Sequence, residues 1–127
     1  MILRHCICIP TYNNPKTIAH VVRECIAQTD FPILIVDDGS SIPVQYLLDT
    51  ETKNSKRLII HRFENNQGKG LALQFGIKNC VERGYTHMIA IDGDGQHLPS
   101  EISKLTALSV KKPWDLIIGN RKVTSST

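Results

Sequence analysis

At 127 residues, with 41% hydrophobic and 21% charged side chains, the chain has material for one domain with a real core, and its composition excludes a disordered polypeptide. Its 15 basic and 12 acidic residues give a formal charge of +3 and are spread without blocks, which points to neither a nucleic-acid footprint nor a polybasic membrane patch. No apolar run approaches the roughly 20 residues of a membrane span, and the N-terminus "MILRHCICIPTY" lacks the charged-then-apolar order of a secretion signal, so a soluble, cytoplasmic protein is expected.

Extended apolar runs alternate with helical patterns. "HCICIP" (5–10) predicts a strand; Asn14 and Pro15 then supply an N-cap and a first-turn proline, and Ile18, Val21, Val22, Cys25 and Ile26 follow at helical spacing. "FPILIVDDGSS" predicts a second strand, apolar enough to be buried on both faces, ending at Asp37, Asp38 and Gly39. Pro43 opens a short helix holding Val44, Leu47 and Leu48, and the polar "DTETKNSK" predicts a loop. "RLIIHRF" is a third strand, broken by "ENNQGKG" before a longer helix with Leu73, Ile77, Cys80 and Val81 on one face, ended by Gly84. "THMIAID", "LPSEISKLTAL" and "WDLIIGNR" predict a fourth strand, a helix and a fifth strand. The four cysteines, Cys6, Cys8, Cys25 and Cys80, show no C-x-x-C spacing and are expected as buried free thiols in a reducing compartment.

Repeated strand, helix, strand with short connections predicts an α/β fold: an open, mainly parallel, Rossmann-like sheet with helices on both faces. In such sheets ligands lie beyond the carboxyl ends of the strands. The polar residues of this chain gather there: Pro10 to Asn13, Asp37 to Ser40, Asn65 to Gly70, Asp92 to His97, and Gly119 to Arg121. Asp92 and Asp94, one residue apart, repel each other unless a cation or water lies between them. Taken alone, that string more often marks a solvated Asp-Gly turn. Gly68, Lys69 and Gly70 stand at a helix N-terminus, where backbone N–H groups and the helix dipole favour anions.

Several motifs fail on their own terms. A Walker A loop needs glycine at Phe63 and Ser or Thr at Gly70; an EF-hand loop needs glycine at His97 and glutamate at Ser103; a haloacid-dehalogenase nucleophile motif needs threonine at Gln96. A response-regulator receiver, whose acidic pair "IVDDGS" resembles, would carry that pair after its first strand, and here a complete strand-helix unit precedes it.

"CICIPTYNNPKTI", "ILIVDDGSS", "FENNQGKGLALQFGI", "MIAIDGDGQHLP" and "IIGNR", in this order and spacing, resemble the nucleotide-sugar-binding half of family-two inverting glycosyltransferases with the GT-A fold. The D-x-D-x-Q-H form is most similar to the dolichyl-phosphate mannosyltransferase-like group, which usually has glutamate where Asn14 stands.

The resemblance implies a single nucleotide-sugar-binding domain over 1–127, cut before an acceptor-binding half that would carry the catalytic base. It implies a nucleotide-sugar donor, a UDP- or GDP-sugar, and a Mg²⁺ or Mn²⁺ ion, a hard cation suited to a departing diphosphate. Pro10, Thr11 and Tyr12 would line the base pocket, Asp38 would accept from the base, and Gly68 and Lys69 would face the diphosphate. Asp94 would be the more direct metal ligand, with Gln96 adding an oxygen and Asp92 meeting the ribose or a metal-bound water. His97 and Arg121 would approach the sugar or diphosphate. The reaction implied is inverting transfer to a polyprenyl phosphate or saccharide, with membrane contact, at an inner membrane face, only through a lipid-linked acceptor or a missing C-terminal part. The other function class left open is a non-enzymatic, receiver-like or nucleotide-sensing module using the same acidic rim.

Overall fold

The computed structural model describes residues 2–95 and, as backbone, 117–119. Five strands form one parallel sheet in the order β3-β2-β1-β4-β5: β1 is His5–Thr11, β2 Ile33–Asp37, β3 Leu58–Arg62, β4 His87–Ile91 and β5 Ile117–Gly119. The predicted helix "LPSEISKLTAL" lies outside the described residues.

Strand alternation divides the core in two. Successive strand side chains point to opposite faces, so Ile7 and Ile9 of β1, Ile33 and Ile35 of β2, and Ile89 and Ile91 of β4 share one face. Helix α1, Ile18–Gln28, covers it with Ile18, Val21, Val22 and Cys25. Cys6, Cys8, Leu34, Val36, Met88 and Ala90 share the other face, covered by Ala72 and Cys80 of helix α3, Lys69–Glu82. Each large aliphatic side chain buried this way stabilises the fold by roughly 1.5–3 kcal/mol, and β1, β2 and β4 contribute to both layers.

Local details depart from the sequence expectations in three places. Helix α1 begins at Ile18, not at Asn14; the Asn14 carbonyl accepts from Thr17 and Ile18 N–H (3.2 and 3.0 Å) and starts a turn, while its side chain faces the β1 end instead of capping. The polar stretch expected as a loop contains a short helix α2, Thr50–Lys53, because the Asp49 carboxylate accepts from Thr52 N–H at 2.7 Å and caps it. Pro43 leads only into a 3-10 turn, Val44–Tyr46.

The buried face of α3 agrees with the expected apolar face at Cys80, which is buried, and at Leu73, which packs against the core, and differs elsewhere. Ala72, Gly76 and Cys80 are buried, whereas Ile77 is 39% and Val81 68% exposed. The cause is close approach. A Cβ on Gly76 would stand 2.5 Å from Cys8 Sγ and 3.3 Å from Met88 Sδ, so the helix packs on the sheet through its stripe of small residues. Apolar spacing alone favoured the bulkier neighbours and missed this rotation. Gly84, at φ 81°, ends the helix, and Tyr85 N–H returns to the Cys80 carbonyl at 3.0 Å.

All four cysteines are buried free thiols. Cys6 Sγ lies 2.9 Å from Cys80 Sγ, and that hydrogen bond, with burial, pushes the Cys6 thiol up. Burial pushes Cys8 and Cys25 up to about 12.

Gly76→Ala is expected to destabilise the protein by roughly 1–3 kcal/mol, the range for overpacking, and adding Cys8→Ala is expected to restore part of the loss; chemical denaturation of the two singles and the double measures the coupling. The raised thiols give a pH dependence. Their contribution is complete below the ordinary value of 9 and is lost as pH rises towards about 12, because the unfolded chain ionises first. Denaturation at pH 8 and pH 10 is expected to show a fall of roughly 1 kcal/mol per such thiol, smaller by one thiol's share in Cys25→Ala.

Candidate functional site

The chain runs from β1 outward to β2 and β3, and α3 then carries it back past β1 to β4. The carboxyl ends of β1 and β4 therefore part at a topological switch point, the place where open α/β sheets bind ligands. A cleft of about 280 Å³ lies there. Pro10, Thr11, Tyr12 and Asn14 line it from the end of β1 and the turn after it, Asp38 from just past β2, Asn66, Gly68, Lys69 and Ala72 from the loop before α3 and its first turn, and Asp92, Gly93 and Asp94 from the turn after β4.

The adjacent acids after β2 point to different partners. Asp37 is fully buried; its Oδ1 accepts from Ser40 N–H at 3.0 Å, and its Oδ2 from Val44 N–H at 3.0 Å and from Arg62 Nη1 at 2.8 Å. Burial pushes its carboxyl up, but the hydrogen bonds from Ser40, Val44 and Arg62 outweigh it and hold the group below the usual carboxylate range. Asp37 thus organises the backbone after β2. Asp38 turns the other way, towards the loop before α3. Its Oδ1 accepts from Gln67 N–H at 2.6 Å, and its Oδ2 from Gly68 N–H at 2.9 Å and Asn66 Nδ2 at 3.0 Å. It both lines the cleft and fixes the loop that leads into α3. Three of roughly four acceptor positions are used.

The β4 end is held just as closely. A Cβ on Gly93 would stand 2.7 Å from Thr11 Oγ1 and 2.8 Å from Thr11 Cβ, so only glycine allows the acidic turn to lie against β1. Thr17 Oγ1 donates to the Gly93 carbonyl at 2.7 Å from the turn before α1. Thr11 Oγ1 in turn donates to Asn14 Oδ1 at 2.6 Å, and Tyr12 N–H to the same oxygen at 3.2 Å. A side-chain acceptor at position 14 therefore closes the β1 end. Opposite, Lys69 Nζ meets Asp92 Oδ1 at 2.6 Å across the cleft.

Eight of the residues singled out from sequence, Pro10, Thr11, Tyr12, Asp38, Gly68, Lys69, Asp92 and Asp94, line this one cleft. Tyr12 is 49% exposed at its rim. Gln96, His97 and Arg121 lie outside the described residues. Arg62, Thr17 and Asn66 were not singled out. Arg62 had a signal: it pairs in register with Asp37 across β2 and β3, opposite charges at matching strand ends. Among the described residues no three His, Cys, Asp or Glu side chains gather as a metal cage. Two carboxylates on an open cleft suit a hard cation that keeps several waters and takes its remaining oxygens from a bound phosphate.

Over residues 6–127 the chain matches the family described as Glycosyl transferase family 2. It is 33% identical over 126 residues to the polyprenol monophosphomannose synthase of Mycolicibacterium smegmatis, covering 98% of this chain and 47% of that protein. It is 32% identical over 120 residues to the undecaprenyl-phosphate mannosyltransferase of Micrococcus luteus, covering 91% and 47%. It is 31% identical over 125 residues to the UDP-N-acetylglucosamine–dolichyl-phosphate N-acetylglucosaminyltransferase of Methanococcus voltae, covering 89% and 50%. The chain spans about half the length of these curated relatives.

Asp37→Ala is expected to destabilise the fold by roughly 2–4 kcal/mol, because it leaves two buried N–H groups and a guanidinium without their acceptor. Part of that stability depends on ionisation of Asp37, whose carboxyl is held below its ordinary range; this part is fully present above the ordinary range and is lost as pH falls through the lowered folded value, so the gap in denaturation midpoint between parent and variant should narrow as pH falls below about 4.

Proposed function

The chain belongs to glycosyl transferase family 2, and from that premise we propose that it binds a nucleotide-sugar donor with a divalent cation for inverting transfer of the sugar to a polyprenyl phosphate. The observation that carries this reading is the meeting of Asp38, Lys69, Asp92 and Asp94 with the N-terminus of α3 in one cleft at the switch point. The names of three relatives specify polyprenol, undecaprenyl-phosphate and dolichyl-phosphate, which supports a lipid-linked acceptor, and with it contact at a membrane surface. No helix among the described residues is long and apolar enough to cross a membrane.

Each residue then has a task. Pro10, Thr11 and the ring of Tyr12 form the wall on which the base and ribose lie. Asp38 holds the loop at Asn66–Gly68 and offers its remaining acceptor position to the base. The N-terminus of α3, with Lys69, faces the diphosphate, where an anion is favoured by the helix dipole and by the ammonium. Asp92 and Asp94 would hold the cation, with Gln96 as a further oxygen donor. When bound, that cation neutralises the diphosphate as it leaves. His97 and Arg121 are assigned to the sugar and diphosphate side. The acceptor pocket and the general base are assigned to the part of the relatives' length that this chain does not span. UDP and GDP both fit the reading, since no described contact selects one base.

Calorimetry with UDP and with GDP, in Mn²⁺ or in chelator, tests it. One of the two nucleotides is expected to bind, at least tenfold more tightly with Mn²⁺, and Asp94→Ala is expected to remove that enhancement while leaving the fold intact. Binding that is indifferent to chelator would overturn the metal assignment.

A further inference from the structure

We propose that Lys69 is a resident counter-ion for Asp92, displaced when diphosphate and cation arrive together, so that the cleft takes each ligand poorly alone and both well in combination. The inference rests on the donor-site reading above and adds a coupling to it. Lys69 Nζ and Asp92 Oδ1 are 2.6 Å apart, and both residues line the cleft.

With the ammonium in that position, a divalent cation approaching Asp92 must either displace Lys69 or accept a like charge a few ångströms away. A diphosphate arriving without a cation meets the carboxylates of Asp92 and Asp94, while the ammonium that would attract it is already engaged. Arriving together, the two ligands resolve both conflicts. The diphosphate would take the ammonium of Lys69, and Asp92 would be left free to hold the cation, whose charge would offset that of the carboxylates and the diphosphate.

The side chain suits this exchange. Lysine is a compact charge on a flexible four-carbon stem with three donors, and Lys69, the first residue of α3, is half exposed and has room to swing. Its anchor on the rigid helix keeps the ammonium within reach of the α3 N-terminus in either state. An exposed pair of this kind is weak, worth about two- to fivefold in an equilibrium. That is enough to bias binding and too little to block it.

The test is calorimetry on the parent chain, Lys69→Met and Lys69→Arg, with Mn²⁺ alone, with UDP and GDP in chelator, and with both ligands. Lys69→Met is expected to bind Mn²⁺ alone about two- to fivefold more tightly and the nucleoside diphosphate in chelator about two- to fivefold more weakly, the range of an exposed ion pair. Affinity for the bare nucleoside should not change. Lys69→Arg is expected to stay close to the parent in Mn²⁺ binding. Unchanged Mn²⁺ affinity in Lys69→Met, with a parent chain that still binds nucleotide and Mn²⁺ together, would overturn the counter-ion role alone. The same gain from Lys78→Met, further along α3, would reduce the effect to bulk charge and overturn it too. A parent chain that binds neither nucleotide under any condition would overturn the donor-site reading, and this inference with it.

Discussion

Parallel pairing of β1 on both of its edges is the constraint from which the remaining structure follows. Pairing with β2 on one side and β4 on the other buries the strand on both faces and leaves it no free edge. Its residues alternate accordingly, isoleucines towards α1 and cysteines towards α3. Small side chains on the second face let α3 descend onto Cys8 through Gly76. That descent brings the N-terminus of α3, with Gly68 and Lys69, to the rim where β1 and β4 diverge. The cleft is thus a consequence of strand order and helix depth before any polar residue is considered.

The polar residues then divide into those that build the rim and those that face what it holds. Asp37, Arg62 and Ser40 form a closed set under the β2 end. Thr11, Thr17 and Asn14 do the same for the turn carrying Asp92 and Asp94. Asp38 belongs to both groups, since its carboxylate holds the loop before α3 while lining the cleft. Preorganisation of this kind means that little of the rim must be ordered when a ligand binds.

Much of this was legible in the sequence because the signals were periodic or local. The nearly all-apolar run of β2 marked a strand buried on both faces, the polar strand ends marked the rim, and the family resemblance then singled out the eight residues that line the cleft. What was not legible depends on contacts between distant segments. The face of α3 was read correctly at Leu73 and Cys80 but misread at Ile77 and Val81, which outweigh Ala72 and Gly76 in any apolar count, whereas packing depth is set by the smallest residues. The capping of α2 by Asp49 was hidden in a stretch polar enough to pass for a loop. The opposed duties of Asp37 and Asp38 follow from strand alternation, but which acid meets which loop is settled only by the register with Arg62.

The pairing of His5 with His87 has a kinetic consequence. On its β4 side, the central strand of the sheet, near the start of the chain, waits for a partner most of the described length away. Contacts of such separation slow folding, because loop closure precedes any gain from the pairing. During synthesis β1 can dock α1 and β2 early, yet its second edge stays open, an exposed apolar template for mispairing, until α3 and β4 have emerged. The two walls of the cleft come from β1 and β4, so the binding site and the closure of that edge appear in the same late event. A nascent or partly unfolded chain has no partial version of the site, and ligand present in the cell can stabilise only the chain that has completed its sheet.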